Sequence, residues 1–558
     1  MGKITKELIL KNCILIIILG CASQLPPGGG DIDRIPPEIV NVYPSNATTN
    51  YDGDYFEIEF SEYIDKRSFN DALFISPIVE GRLLFDWTGT SVSVEFAEGL
   101  KKNITYTITI GTDVVDLNNK NRMKESYSFS FSTGNTIDRR KIKGRVYHQE
   151  PEGVLIFAYK IDNGVDTLLK RKPDYVSQTG ADGKYQLNGM GESKYRLFAV
   201  KDEYRDLIYD LNQDLIGVPN SDISLVGKDS SFSGMNFKLF KADTTAPRLL
   251  KGIMTDEKHI LVTLTEELER SNISKNNYYL IDSTVNQISD VIQAFKKFGK
   301  ETEIVLVPEK KLIPDHSVYL IAKVLSDTLG NDFHNDFIGL SISDKPDTTA
   351  PDIIATEPSR SKTTIDYLNP KIRFYFNDGI QNPNIQKGIS FSDTLGGKVT
   401  FNIEFEDDAT LSINPLNDLK SDKDYVIKLN LFEFLDATGN RRDSVYQFKF
   451  KTIAGLNFTG LQGKLLNVNT QLNAVLVLQD YNNSGRMYQQ NVTDDNISFE
   501  RIEAGKYKLW CYFDADSNYR FNYGWPQPIE YSERFVVYAD TIKLKERWVI
   551  TDIIFNIE

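Results

Sequence analysis

The chain has 558 residues, with 78 acidic side chains against 64 Lys and Arg, a formal net charge of -14 and 41% hydrophobic residues. That length holds four or five domains of ordinary size, each able to bury its own core. The acidic balance excludes nucleic acid as a partner and leaves no basic excess for anionic lipid.

The first stretch is an address. Lys3, Lys6 and Lys11 precede an apolar run from Ile14 to Leu19, followed by Gly20-Cys21-Ala22-Ser23. A basic leader, a short apolar segment and a small residue before the cut make a secretory signal peptide over 1–20. The apolar run falls short of the roughly 20 residues a spanning helix needs. With the cysteine directly after the small residue, the pattern resembles the bacterial lipoprotein signal. The resemblance implies that the leader is cut before Cys21 and that Cys21, as the first mature residue, carries lipid (palmitate and related chains). The expected location is the outer membrane, on its periplasmic or cell-surface face. Removing the leader, with its three lysines and one glutamate, takes the charge to -16. Cys13 leaves with it and Cys21 is lipidated, so Cys511 stands alone and no intrachain disulfide is expected. Pro26-Pro27-Gly28-Gly29-Gly30 makes 21–35 an extended tether. No Lys-Ser or Lys-Thr pair follows to make that run a phosphate loop.

Strands come next. Phe56, Ile58 and Phe60 alternate with Glu57, Glu59 and Ser61, and Val92, Val94 and Phe96 with Ser91, Ser93 and Glu95. Such period-two runs between turn residues predict antiparallel sandwiches. The predicted fold class is all-β, a linear array of about five β-sandwich domains behind the signal.

Features recur along the chain. Asp243-Thr244-Thr245-Ala246-Pro247 returns 104 residues later as Asp347-Thr348-Thr349-Ala350-Pro351, with Asp33 to Pro37 as a looser copy. Phe60-Ser61-Glu62 is matched by Leu264-Thr265-Glu266 and Phe376-Asn377-Asp378. Leu100-Lys101 leads to Tyr106 as Leu419-Lys420 leads to Tyr425, while Tyr319 sits one residue further from Leu312. Turns follow at Asp116-Leu117-Asn118-Asn119, Asp327-Thr328-Leu329-Gly330-Asn331 and Asp436-Ala437-Thr438-Gly439-Asn440, where Asp, Gly and Asn suit the backbone. This ordered set resembles bacterial Ig-like domains of cell-envelope proteins at 36–134, 247–345 (divergent) and 351–454. With Cys21 and the tether, it is most similar to Ig-like lipoproteins of Bacteroidetes-type bacteria.

Two further segments, 139–241 and 457–558, share a grammar. Each opens with a glycine-bearing strand (Gly144, Gly463), turns into an aromatic strand and ends in Lys-Tyr-x-Leu (Tyr195, Tyr507) before an acid. They resemble transthyretin-like or carboxypeptidase-regulatory sandwiches, which implies a spacer or docking role and no catalytic residue.

Chemistry is sparse. His148, His259, His316 and His334 are scattered, with no zinc spacing and no Gly-x-Ser-x-Gly elbow. The chain therefore reads as non-catalytic. Asp514, Asp516 and Asn518 open like a calcium loop, but Tyr519 replaces the turn glycine and Trp525 the bidentate glutamate. A turn that caps its own backbone is the competing reading. No other cofactor is implied. Tyr519, Tyr523 and Trp525 beside it are candidate binding aromatics. Asp-Thr or Asp-Ser followed by an aliphatic residue or Thr, as at Asp166-Thr167-Leu168 and Asp393-Thr394-Leu395, resembles the O-glycan acceptor of Bacteroidetes exported proteins. The same pattern also starts strands. Two functions remain: a scaffold or adhesion-type protein that binds an envelope protein, as an accessory subunit of an outer-membrane assembly or secretion complex, or a glycan-binding surface lipoprotein using Trp525.

Overall fold

The computed structural model describes residues 33–558 except 80, 162–166, 228–229, 360–363, 382–384, 469–472 and 483–484. The expected signal 1–20, Cys21, most of the tether and Asp166 lie outside the described residues. Nearly all the regular secondary structure of the described chain is strand, with one short α-helix, Lys66–Asp71, capped by the Asp65 carboxylate. No helix among the described residues is long and apolar enough to cross a membrane. The chain divides into two compact units, Met1–Ala242 with Asn522–Glu533, and Asp243–Phe521 with Arg534–Glu558.

In the first unit, the strands Ile39–Tyr43, Tyr55–Phe60, Ser91–Phe96 and Leu83–Thr88 form one sheet in that order, and Leu73–Ser76, Thr105–Ile110 and Tyr127–Ser132 form a second. Alternation decides the faces: Phe56, Ile58 and Phe60 point into a core shared with Ile108, Phe129 and Phe131, while Glu57 and Glu59 stay outside. The next segment pairs Tyr175–Gln178, Leu155–Lys160, Ser193–Lys201 and Leu215–Gly217, with Ile223–Leu225 also on Ser193–Lys201. Opposite lie Lys184–Met190, Arg140–Tyr147 and Ser231–Ser233. Leu155–Lys160 reads as a continuous apolar run because both its faces are covered. Ile156 and Ala158 face the opposing sheet, while Leu155, Phe157 and Tyr159 enter a separate cluster with Phe198 and Ile216.

In the second unit, residues 249–341 form a closed barrel where a two-sheet sandwich was expected. The ten-residue strand Gln287–Lys296 shifts register between Val291 and Gln293 and so reaches both Tyr278–Asp282 and Glu303–Pro308. Leu249–Met254 closes the barrel by pairing parallel to Asp332–Ser341. Then Ile353–Glu357, Arg373–Phe376, Thr410–Pro415 and Phe401–Asp407 pack on Thr364–Ile365, Val445–Thr452, Asp424–Asn430 and Ile389–Asp393 around Phe374, Leu411, Ile427 and Phe448. The last sheets are Asn496–Ile502, Thr459–Leu466 and Val549–Asn556, and Met487–Asn491, Ala474–Asp480, Gly505–Phe513 and Phe535–Leu544.

The repeated motifs have physical reasons. The Tyr106 hydroxyl accepts from Lys101 N (3.0 Å) and that of Tyr425 from Lys420 N (2.8 Å), which fixes the shared spacing. Tyr319, one residue out of step, is exposed in the barrel. In the two other segments the opening glycine lets a neighbouring strand approach: a Cβ on Gly144 would lie 1.8 Å from Met235 O, and one on Gly463 2.1 Å from Ile553 O. Tyr195 and Tyr507 each donate to the carbonyl four residues back, at 2.8 and 2.7 Å. Several of the Asp-Thr and Asp-Ser pairs are local caps, with Asp243, Asp327 and Asp393 accepting from the backbone N–H two residues on.

Candidate functional site

The stretch from Trp510 to Trp525 divides between core and surface. Trp510, Cys511 and Tyr512 are buried, and Phe521 packs edge-on to Trp510, Tyr512 and Phe535. Asp514 is buried and accepts from Asn518 N (3.2 Å) and Tyr519 N (3.0 Å). Asp516 accepts from Asn518 N and Nδ2, and the Asn518 side-chain oxygen from Arg520 N. These bonds make the turn a cap on its own backbone, and the three calcium-loop candidates spend oxygens on it. Tyr519 and Tyr523 are exposed, and the Tyr523 ring lies tilted against that of Phe240 with centroids 5.4 Å apart.

Trp525 does something else. Residues Asn522–Glu533 belong to the first compact unit, so the 457–558 segment is not self-contained. Within that unit, Trp525 and Ile529 pack half-buried against the cluster of Leu168, Leu169 and Phe198, and the indole Nε1 donates to Gln527 O at 3.1 Å. Ser532 N and Oγ donate to Pro219 O and Val218 O at 3.0 and 2.9 Å. Arg196, paired with Asp222 at 2.8 Å, reaches the Tyr531 hydroxyl at 3.0 Å. The strap covers the second face of the sheet that contains Leu155–Lys160.

The most exposed aromatic among the described residues of the last segment is one that periodicity did not single out. Trp548 is 70% exposed in the turn before Val549–Asn556, the end strand of its sheet, and Ile554 on that strand is 62% exposed. Leu465, Ile553 and Phe555 face the core, so Leu466 and Ile554 point outward, while Val549, on the other side of a register shift in this strand pair, is exposed as well. Ile554 pairs with Lys464 and Asn556 with Leu466, which puts Ile554 and Leu466 diagonally adjacent on the outer face.

A second constellation recurs in three domains, the first sandwich, the barrel and the sandwich that follows it. Asp116 accepts from Asn119, Lys120 and Asn121 N, and Asn121 Nδ2 donates to Asp33 O at 3.1 Å. Asp327 and Asn331 repeat this with Asp243 O at 2.9 Å, and Asp436 and Asn440 with Asp347 O at 3.2 Å. Each turn thus ties down the aspartate that opens its domain. A third acid closes each group. Burial and the carboxylates of Asp116 and Asp33 push Glu62 up, and burial with Asp243 and Asp327 does the same to Glu266. The equivalent of those two residues is Asp378. His259 Nε2 lies 2.9 Å from Asp378 Oδ1, and its Nδ1 lies 2.9 Å from Asp256. Burial opposes charge on His259, yet its bonds to Asp256 and Asp378 raise it to about 10. All three acidic positions stood in the repeat; what the sequence hid is that strand end, turn and linker meet.

A family model described as "Bacterial Ig-like domain" matches residues 33–133 and 347–452. The chain therefore carries two bacterial Ig-like domains, and the barrel lies outside both matches. No curated protein matches the chain. Among solved structures, the N-terminal part of the bacterial S-layer protein SbsC is 10% identical, covering 37% of this chain and 44% of its own, with a TM-score of 0.17. Alpha-2-macroglobulin of Escherichia coli is 9% identical over 90% of this chain and 42% of its own (TM-score 0.15). The major pilin subunit BcpA of Bacillus cereus is 8% identical over 76% of this chain and 99% of its own (TM-score 0.13). This chain spans less than half the length of the first two, and likenesses of this size carry no functional argument.

Proposed function

We propose that the protein is a non-catalytic, lipid-anchored scaffold of the cell envelope that binds another envelope protein as an accessory subunit of an outer-membrane assembly or secretion complex. Cys21 holds it to the outer membrane, and the Ig-like and related domains carry its binding face outward. The observation that supports this reading is the outward surface formed by Trp548, Val549, Ile554 and Leu466. Exposed apolar side chains along one end strand, headed by a tryptophan, are the composition of a protein-binding surface. The glycan reading leaned on Trp525, which packs into its own chain and leaves that reading Tyr519 and Tyr523.

The test is co-isolation of the full chain from detergent-solubilised envelopes, comparing wild type with Trp548→Ala and Ile554→Asp. Both sites are exposed, so folding should change by no more than about 0.5 kcal/mol. A stoichiometric membrane protein that is lost in both variants is the expected result. Unchanged recovery, or retention of polysaccharide alone, would refute it.

A further inference from the structure

We propose that Asp347, Asp378 and Asp436 form a site for a hard divalent cation of the calcium type at the head of the second bacterial Ig-like domain. This inference is independent of the partner reading. One carboxylate oxygen from each residue lies within 4.8 Å of the others. Calcium holds oxygen ligands at about 2.3–2.6 Å, so two ligands on opposite sides of the ion stand roughly 5 Å apart, and the trio is already at ligand spacing.

The second observation is an orphaned atom. Asp436 is 2% exposed, and its Oδ1 accepts from Thr438 N (2.8 Å), Asn440 N (2.8 Å) and Thr438 Oγ1 (2.9 Å). Its Oδ2 is buried and faces no protein donor among the described residues. A buried carboxylate oxygen in that state is costly unless something positive meets it. Asp378 is 4% exposed, with Oδ1 occupied by Gly379 N and His259. Asp347 comes from the linker, with Oδ1 turned to Thr349 N and Oδ2 to Thr438 Oγ1. His259 can carry no more than one positive charge and shares its contacts with Asp256, so the carboxylates here keep negative charge in excess, and a divalent ion offsets it. The group is not an accident of one domain, because Asp243, Glu266 and Asp327 bring their oxygens to the same spacing at the equivalent positions of the barrel. The alternative occupant is a proton.

The test uses the purified full chain stripped with EGTA and dialysed against calcium alone, with bound metal counted. Asp436→Asn keeps the Oδ1 acceptor and replaces Oδ2 with an amide N–H, so it removes the ligand and spares the turn. Wild type should take up calcium, and Asp436→Asn should hold one equivalent fewer with an unchanged near-UV circular dichroism spectrum. Asp347→Asn, in the half-buried linker, gives the same reading if Asp436→Asn folds poorly. Any uptake at Asp514 cancels in the difference. No calcium uptake by the stripped wild type, or equal counts in wild type and both variants, would overturn the proposal and leave a shared proton as the occupant.

Discussion

Replacing Trp525 with alanine separates a structural strap from a partner hot spot. The indole packs half-buried on the cluster that contains Leu168, Leu169 and Phe198, and its Nε1 donates to Gln527 O. Truncating a fully buried tryptophan costs about 3–5 kcal/mol; Trp525 is half-buried and should cost about 2–3 kcal/mol. For a unit of this size that corresponds to a fall of roughly 4–10 °C in Tm. A chain with several cores does not melt in two states, so the loss is best followed by hydrogen exchange in Leu155–Lys160 and Ser193–Lys201. Protection should fall there and stay unchanged in the barrel, while recovery of the envelope partner is retained. Full protection in those strands together with lost partner binding would refute the strap and restore Trp525 as a contact residue.

Tyr425→Phe removes the hydroxyl that accepts from Lys420 N and should cost about 1 kcal/mol in the chemical unfolding of its domain, with Tyr106→Phe alike and Tyr319→Phe near zero. Gly463→Ala must push apart the parallel strands Thr459–Leu466 and Val549–Asn556, and should destabilise the last segment by about 3 kcal/mol or more, seen as protease sensitivity. Burial pushes the Cys511 thiol up to about 12, so at pH 8 it should resist iodoacetamide in the folded chain and react once urea exposes it. Cys21→Ala should abolish acyl labelling and firm membrane partition; a variant that keeps both would exclude lipid at that residue.

What was legible in the sequence was whatever short-range chemistry dictates. Alternation placed Phe56, Ile58 and Phe60 inside, and the equal spacing of Leu-Lys to Tyr was visible as a repeat whose cause, a hydroxyl cap, only the fold supplies. Gly144 and Gly463 were visible as matching positions of two segments, and the close carbonyls of Met235 and Ile553 explain the match. Closure of the barrel was hidden because it depends on a register shift inside Gln287–Lys296 that leaves no periodic trace. The fate of Trp525 was hidden too: the cluster it packs on, which includes Leu168 and Phe198, lies over 300 residues upstream, and nothing local to Gly524-Trp525-Pro526 tells core from surface. Trp548 was missed for the converse reason, since it stands in a turn outside the aromatic cluster that drew attention. Asp347, Asp378 and Asp436 were each visible as motif positions, but their convergence belongs to the fold.

The central claim, a scaffold that holds an envelope protein through its last sheet, is tested most directly by a photo-reactive residue in place of Trp548 of the full chain, irradiated in intact cells. The account predicts one dominant adduct with a membrane protein, lost when Ile554→Asp is added. No adduct at position 548, or an adduct that survives Ile554→Asp unchanged, would contradict it.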